Sequence, residues 1–137
     1  GPRQEPHGEA GVVAIFFDSA LADKTLTVFA RRAEGDGGCV RDYAYVGDVA
    51  RANLQAMTGE LPLTMMNVAS GAATTTLELA RQVVALTGSK SSIVQAGVRV
   101  GDVECSVLDP ATFTRAIGAP TSLAAGLTET ARYYRER

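Results

Sequence analysis

The sequence has 137 residues, with 13 Lys plus Arg against 15 Asp plus Glu, for a formal net charge of −2. That length fits one domain able to bury roughly two thirds of the surface its unfolded chain would expose, and a content of 46% hydrophobic and 20% charged residues argues against extended disorder. The near-balanced charge argues against a nucleic-acid binder, because phosphate-driven affinity needs clustered excess cations; eleven of the 13 cations are nevertheless arginine, whose planar fork matches phosphate and carboxylate.

Residues 1–10 are rich in Gly, Pro and charge and read as a loop. From Gly11 to Ala22 the apolar positions Val12, Val13, Ile15, Phe16, Phe17, Ala20 and Leu21 cover a wide helical stripe, which predicts a largely buried helix. Thr25–Phe29 is β-branched and alternating, a strand. Ala30–Val40, with Arg31-Arg32 and Gly35-Asp36-Gly37-Gly38, holds too much glycine and charge for a regular element. Arg41–Val46 reads as a short strand, and Asp48 opens a helix to about Met57, its carboxylate complementing the N-terminal dipole. Met65–Ala69 is a bounded apolar run of the kind found in a strand buried on both faces.

Past the turn at Ser70-Gly71, Thr75 and Glu78 form a capping box for a helix with Leu77, Ala80, Val84 and Thr87 on one stripe, ended by Gly88. Strands over Ser92–Ala96 and about Glu104–Leu108 flank the turn Val98–Asp102. Asp109-Pro110 is an N-cap followed by proline at the first helical position, and that helix stops at Gly118. Ser122 caps a last helix with Leu123, Leu127, Ala131 and Tyr134 on one face. The order predicts a mixed α/β fold in a single domain.

Cys39 and Cys105 show no Cys-x-x-Cys or Cys/His spacing, so neither a disulfide framework nor a metal site is expected, and their use points to a reducing, cytoplasmic compartment. No run approaches the about 18 apolar residues of a membrane span. The polar start Gly1-Pro2-Arg3-Gln4-Glu5-Pro6 lacks the apolar core of a secretory signal and an initiator Met, which reads as a processed or excised piece. The single histidine, His7, sits between Pro6 and Gly8 in a polar loop and reads as an exposed imidazole rather than a general base. No Gly-x-Ser-x-Gly, His-Glu-x-x-His or Walker loop is present, so catalytic residues on this chain are none. Arg41 stands where a glycine-rich loop enters a strand, and Arg99 and Asp102 share one turn as R-x-G-D. A fork and a carboxylate three residues apart can face one ligand, the cation toward phosphate and the carboxylate toward vicinal hydroxyls; a surface arginine beside an Asp-closed turn has the same spacing.

An ordered set of motifs resembles the C-terminal portion of the extended short-chain dehydrogenase/reductases, specifically the NAD-dependent epimerase/dehydratase family typified by UDP-glucose 4-epimerase. Gly1-Pro2-Arg3-Gln4 and the helix segment from Gly8 to Phe16 come first. Leu26-Thr27-Val28-Phe29, then Asp36 to Tyr43 with its V-R-D-Y, then Val46-Gly47-Asp48-Val49-Ala50-Arg51-Ala52 follow. Asn67-Val68-Ala69-Ser70-Gly71, Arg99-Val100-Gly101-Asp102, Val107-Leu108-Asp109 and Thr121 to Leu127 complete the order.

By this resemblance Arg41 and Arg99 take the diphosphate, Asp102 the ribose hydroxyls, Val13, Val28 and Phe29 the nucleoside, and Ser106 lines the sugar pocket, a small residue that would admit an N-acetyl group. The family's G-x-x-G-x-x-G and Tyr-x-x-x-Lys are absent, so the resemblance implies NAD and a catalytic tyrosine in the parent fold but no cofactor on this chain alone. It implies a truncated Rossmann-type portion, in which helix 48–57 and strand 65–69 belong to the missing dinucleotide sheet. The expected ligand is a UDP-sugar, and the expected partner an N-terminal Rossmann half or a second copy. Three readings stay open: the binding portion of an epimerase, inactive alone; a non-catalytic nucleotide-sugar binder; and a structural remnant that oligomerises without ligand. Two departures bear on the site: Gly97-Val98 precede Arg99 where the family carries A-P-x, and Ala30 replaces a loop glycine.

Overall fold

The computed structural model describes residues 1–6, 11–61 and 65–136; His7, the Gly8–Ala10 part of the first motif and residues 62–64 lie outside these. The elements run α1 (Val12–Leu21), β1 (Leu26–Phe29), β2 (Val40–Asp42), α2 (Val46–Met57), β3 (Ala73–Thr75), α3 (Thr76–Thr87), β4 (Ile93–Ala96), β5 (Cys105–Ser106), α4 (Ala111–Ala116) and α5 (Leu123–Glu136). The mixed α/β class expected from the sequence is the class observed.

One core organises the molecule. Ala14, Phe16, Phe17 and Ala20 of α1, Leu26 and Val28 of β1, Leu79, Ala80 and Val83 of α3, and Leu127, Ala131 and Tyr134 of α5 form one buried cluster. The Phe17 and Tyr134 rings stack with centroids 5.5 Å apart, an offset aromatic pair that adds to the area it buries. Helix α3 starts as its sequence dictates: the Glu78 amide donates to the Thr75 hydroxyl at 3.2 Å and the Thr75 amide to the Glu78 carboxylate at 2.7 Å, and Gly88 closes the helix at φ 69°. Its buried line is Leu79, Ala80 and Val83 rather than the expected Leu77, Ala80, Val84 and Thr87, because α3 is covered on two sides, by α1 with β1 and by α5.

Two small sheets carry the rest. Strand β1 pairs parallel with β4, Phe29 opposite Ala96. Strand β2 lies between β3, antiparallel with Val40 opposite Thr75, and β5, parallel with Arg41 opposite Ser106.

Three expectations need correction. Met65–Ala69 is not a strand: among the described residues the segment pairs with no other strand, and Met65 is 86% exposed, since an apolar run becomes a buried strand only where strands flank it. The third strand is instead Ala73–Thr75. The strand expected over Arg41–Val46 ends at Asp42, because its neighbours are three and two residues long and the ladder runs out. Helix α2 begins at Val46, before Asp48. The Asp48 carboxylate turns away from the helix end and accepts from the Thr121 amide at 2.7 Å, the Thr121 hydroxyl at 2.9 Å and Arg51 Nη2 at 2.9 Å. Among the described residues no helix is long and apolar enough to cross a membrane.

Candidate functional site

An open cleft of about 490 Å³ lies between α1, the C-terminal end of β1, one face of β2 and the turn after β4, within the range of small-molecule sites. Val12, Ile15 and Phe16 give one wall and Leu26, Thr27 and Phe29 another; Cys39, Arg41 and Tyr43 come from β2 and the residues flanking it, Arg99 and Asp102 from the turn. Cys39, Arg41 and Tyr43 share a side because side chains alternate along an extended chain. The charged residues of the lining are Arg41, Arg99 and Asp102, an excess of one positive charge that favours an anion.

Each group is held by local structure. Asp102 Oδ1 accepts from Arg99 Nε at 3.1 Å and Nη2 at 2.7 Å, while the guanidinium carbon lies 5.4 Å from the centre of the Phe29 ring, within cation–π range. The Asp102 hydrogen bond holds the Arg99 guanidinium pKa above its ordinary value. Arg41 Nη1 donates to the carbonyl of Val40 at 2.9 Å, leaving its other N–H groups to the cleft. Tyr43 Oη is buried and makes no hydrogen bond of good geometry; the neighbouring Thr76 hydroxyl donates to the Cys39 carbonyl at 3.0 Å. Burial pushes the Tyr43 phenol pKa up, against the pull of Arg41 and Thr76.

Two aspartates outside the cleft fix the loops that carry it. Asp36 accepts from the amides of Arg31, Arg32, Ala33 and Gly38 at 2.6–3.1 Å, which holds its carboxyl well below the usual range, the Arg31 amide first among the causes. At Gly38, φ is +80° and a Cβ would stand 2.9 Å from the Phe29 carbonyl. Only glycine fits there, which explains the glycine run better than a phosphate loop would. Asp42 gathers the Ser70 amide at 2.8 Å, the Ser70 hydroxyl at 2.6 Å, the Gly71 amide at 2.9 Å and the Leu108 amide at 3.3 Å. Burial alone would raise the Asp42 carboxyl, but these donors lower it. Arg32 and Glu104 pair at 2.7 Å across the outer rim.

Of the residues singled out in the sequence, Arg41, Arg99, Asp102 and Phe29 converge on the cleft. Val28 is 1% exposed with its side chain in the core, so only its backbone is within reach of a ligand. Val13 lines a separate small hollow of about 60 Å³ with Tyr45, Leu123 and Gly126. Ser106 is exposed on β5 beside Arg41 and is not part of the lining. Sequence reasoning missed Tyr43 and Cys39; the period of two on either side of Arg41 was the signal for both.

Residues 1–69 match the model of the NAD-dependent epimerase/dehydratase family. The UDP-glucose 4-epimerase of Mycolicibacterium smegmatis is 36% identical over 139 residues, covering 100% of this chain and 43% of its own length. The crystal structure of Thermus thermophilus UDP-glucose 4-epimerase complexed with NAD superposes with a TM-score of 0.84 at 41% identity, over 98% of this chain and 43% of that one. The Thermotoga maritima UDP-glucose 4-epimerase with UDP-glucose gives 0.83 at 39%, over 99% and 43%. The chain thus spans under half the length of the relatives it matches, and its fold is that of the C-terminal portion of an extended short-chain dehydrogenase. Family match, relatives and fold agree: the chain belongs to the NAD-dependent epimerase/dehydratase family.

Proposed function

We propose that this chain is the nucleotide-sugar-binding portion of an NAD-dependent sugar epimerase of the UDP-glucose 4-epimerase type, and that it does not catalyse epimerisation by itself. The observation that carries the reading is the meeting of Arg41, from β2, with Arg99 and Asp102, from the turn after β4, in one cleft. Two forks and one carboxylate suit a diphosphate beside a cis-diol. Arg41 and Arg99 take the diphosphate, Asp102 the ribose hydroxyls, and the backbone of Val28 and Phe29 the nucleoside side, which Val13, in its separate hollow, does not reach; Ser106, next to Arg41 across β2 and β5, borders the sugar. The carried-over similarity to proteins whose structures hold UDP-glucose or NAD supports the ligand class.

Catalysis requires groups that these residues do not supply, so a dinucleotide-binding half completes the unit. The exposure of Leu54 (61%), Met57 (85%) and Met65 (86%) supports α2 and the segment 65–69 as the face that this half covers, with the whole of 1–137 forming one domain against it. The work of the chain is then to bind and orient: two cations fix the diphosphate, and the cleft walls keep bulk water from one side of the ligand.

Calorimetric titration with UDP tests the reading. Binding is expected, and Arg41→Ala or Arg99→Ala should each cost about 1.5–3 kcal/mol, the range for a charge-assisted hydrogen bond. No heat with UDP at millimolar concentration would remove the nucleotide-sugar assignment and leave the structural-remnant reading. Conversion of UDP-glucose to its C4 epimer by this chain supplied with NAD would overturn the claim that it is inactive alone.

A further inference from the structure

Arg99 stands on a turn that does little to place it. Gly97 and Gly101 flank the arginine, Gly101 has φ +95°, Val100 is 98% exposed, and the turn is closed by one 3.3 Å bond from the Asp102 amide to the Arg99 carbonyl. No proline stiffens this stretch. A long side chain on such a segment is free to sample many rotamers, yet here its head is fixed on two sides. Phe29 lies under the guanidinium and is itself anchored, because its strand residue faces Ala96 in the β1–β4 register and the next amide, of Ala30, donates to the Ala96 carbonyl at 2.9 Å. Asp102 holds the Nε and Nη2 edge through one oxygen only.

The side chains of Arg99 and Asp102 are 62% and 24% exposed, and a pair so open to solvent contributes little to stability. Its effect is geometric. With the Nε–Nη2 edge engaged, the Nη1 donors are left for the cleft; with Oδ1 engaged, Oδ2 is left as an acceptor. We propose that Phe29 and Asp102 are a positioning pair for Arg99, the ring setting the plane of the guanidinium and the carboxylate its rotation, so that the open edge meets an anion already bound by Arg41. This rests on the nucleotide reading above and deepens it: Asp102 acts on the diphosphate through Arg99 as well as on the ribose, and the Phe29 ring serves the arginine rather than stacking on a base.

A ligand without ribose hydroxyls separates the two roles of Asp102. Wild type, Asp102→Asn, Phe29→Leu, Arg99→Ala and the Arg99→Ala/Asp102→Asn double variant are titrated with 2′,3′-dideoxyuridine diphosphate and with UDP. Positioning predicts that Asp102→Asn and Phe29→Leu each weaken the dideoxy ligand about 10-fold, and that Asp102→Asn adds nothing once Arg99 is gone. Unchanged dideoxy affinity in Asp102→Asn would reduce that residue to a diol acceptor and overturn the proposal; unchanged affinity in Phe29→Leu would overturn the part given to the ring. A ligand-free measurement stands beside this. The Arg99 Nε–H signal in a ¹H–¹⁵N spectrum, assigned with Arg99→Lys, should exchange slowly with water in wild type and rapidly in Asp102→Asn; identical exchange in both sinks the clamp. If wild type binds neither nucleotide, the nucleotide reading fails, and the arginine signal still decides whether the pair exists.

Discussion

The two ends of this molecule are built on opposite principles. Around α1, β1, α3 and α5 every inward side chain meets another: Phe17, Leu79, Ala80, Val83 and Ala14 are fully buried. Around α2 and the segment 65–69 the large apolar side chains Leu54, Met57 and Met65 face water, and α2 is tied down mainly through polar contacts. Asp48 reaches Thr121, and Arg51 lies 5.9 Å above the ring of the buried Phe113. One end buries its own surface; the other leaves large apolar side chains exposed. The cleft lies at the self-sufficient end, so the proposed ligand binding and the proposed docking of a further segment can be tested separately.

The comparison breaks most easily at Phe17. Phe17→Ala removes a fully buried ring stacked on Tyr134 and is expected to cost about 3–5 kcal/mol in urea denaturation; a cost under about 1 kcal/mol would mean that this core is not the source of stability. Asp48→Ala leaves the Thr121 amide and hydroxyl without their acceptor and should cost about 1–3 kcal/mol, with hydrogen exchange rising in α2 while α1 and α3 stay protected. Uniform exchange would show that the two ends unfold as one.

Asp42→Asn sharpens the comparison through pH. Its folded carboxyl is lowered by the donors from Ser70, Gly71 and Leu108, so its contribution is present above the unfolded value of about 3.9 and is lost as pH falls through the folded value. Wild-type stability should therefore drop below about pH 4 more steeply than that of Asp42→Asn, read as melting temperature across the acid range. Parallel acid limbs would deny the carboxylate this role. Met57→Ser and Met65→Ser should stay within about 0.5 kcal/mol of wild type and lower self-association in sedimentation, whereas a larger loss of stability would place these side chains in a packed contact.

How far the sequence foretold this follows the same division. Helices α1, α3 and α5 were legible because periodic apolar stripes, a capping box and a terminal glycine are local signals, and local signals agree with the packing there. Convergence of Arg41, Arg99 and Asp102 was legible only through the ordered motifs, since spacing alone gave the R-x-G-D turn no more meaning than a surface ion pair. Met65–Ala69 misled because apolarity reports that a segment is fit for burial and says nothing of who covers it. Ala73–Thr75 was missed for the converse reason: three small residues become a strand because β2 lies beside them. Asp48 was read as a local cap, yet besides Arg51 three residues on it holds Thr121, a tertiary partner that no window of neighbouring residues contains. Tyr43 escaped notice because its value lies in sharing a side with Arg41.

Asp42 also bears on the order in which the chain can assemble. Its carboxylate joins segments 28 and 66 positions away, and the cleft it supports draws its walls from strands whose partners are equally remote in sequence. Helices can form while the chain is still being made, but the geometry of the cleft cannot exist until residues near Leu108 have left the ribosome. Loop closure over such separations is slow, so in refolding, helical signal should recover first and nucleotide binding last.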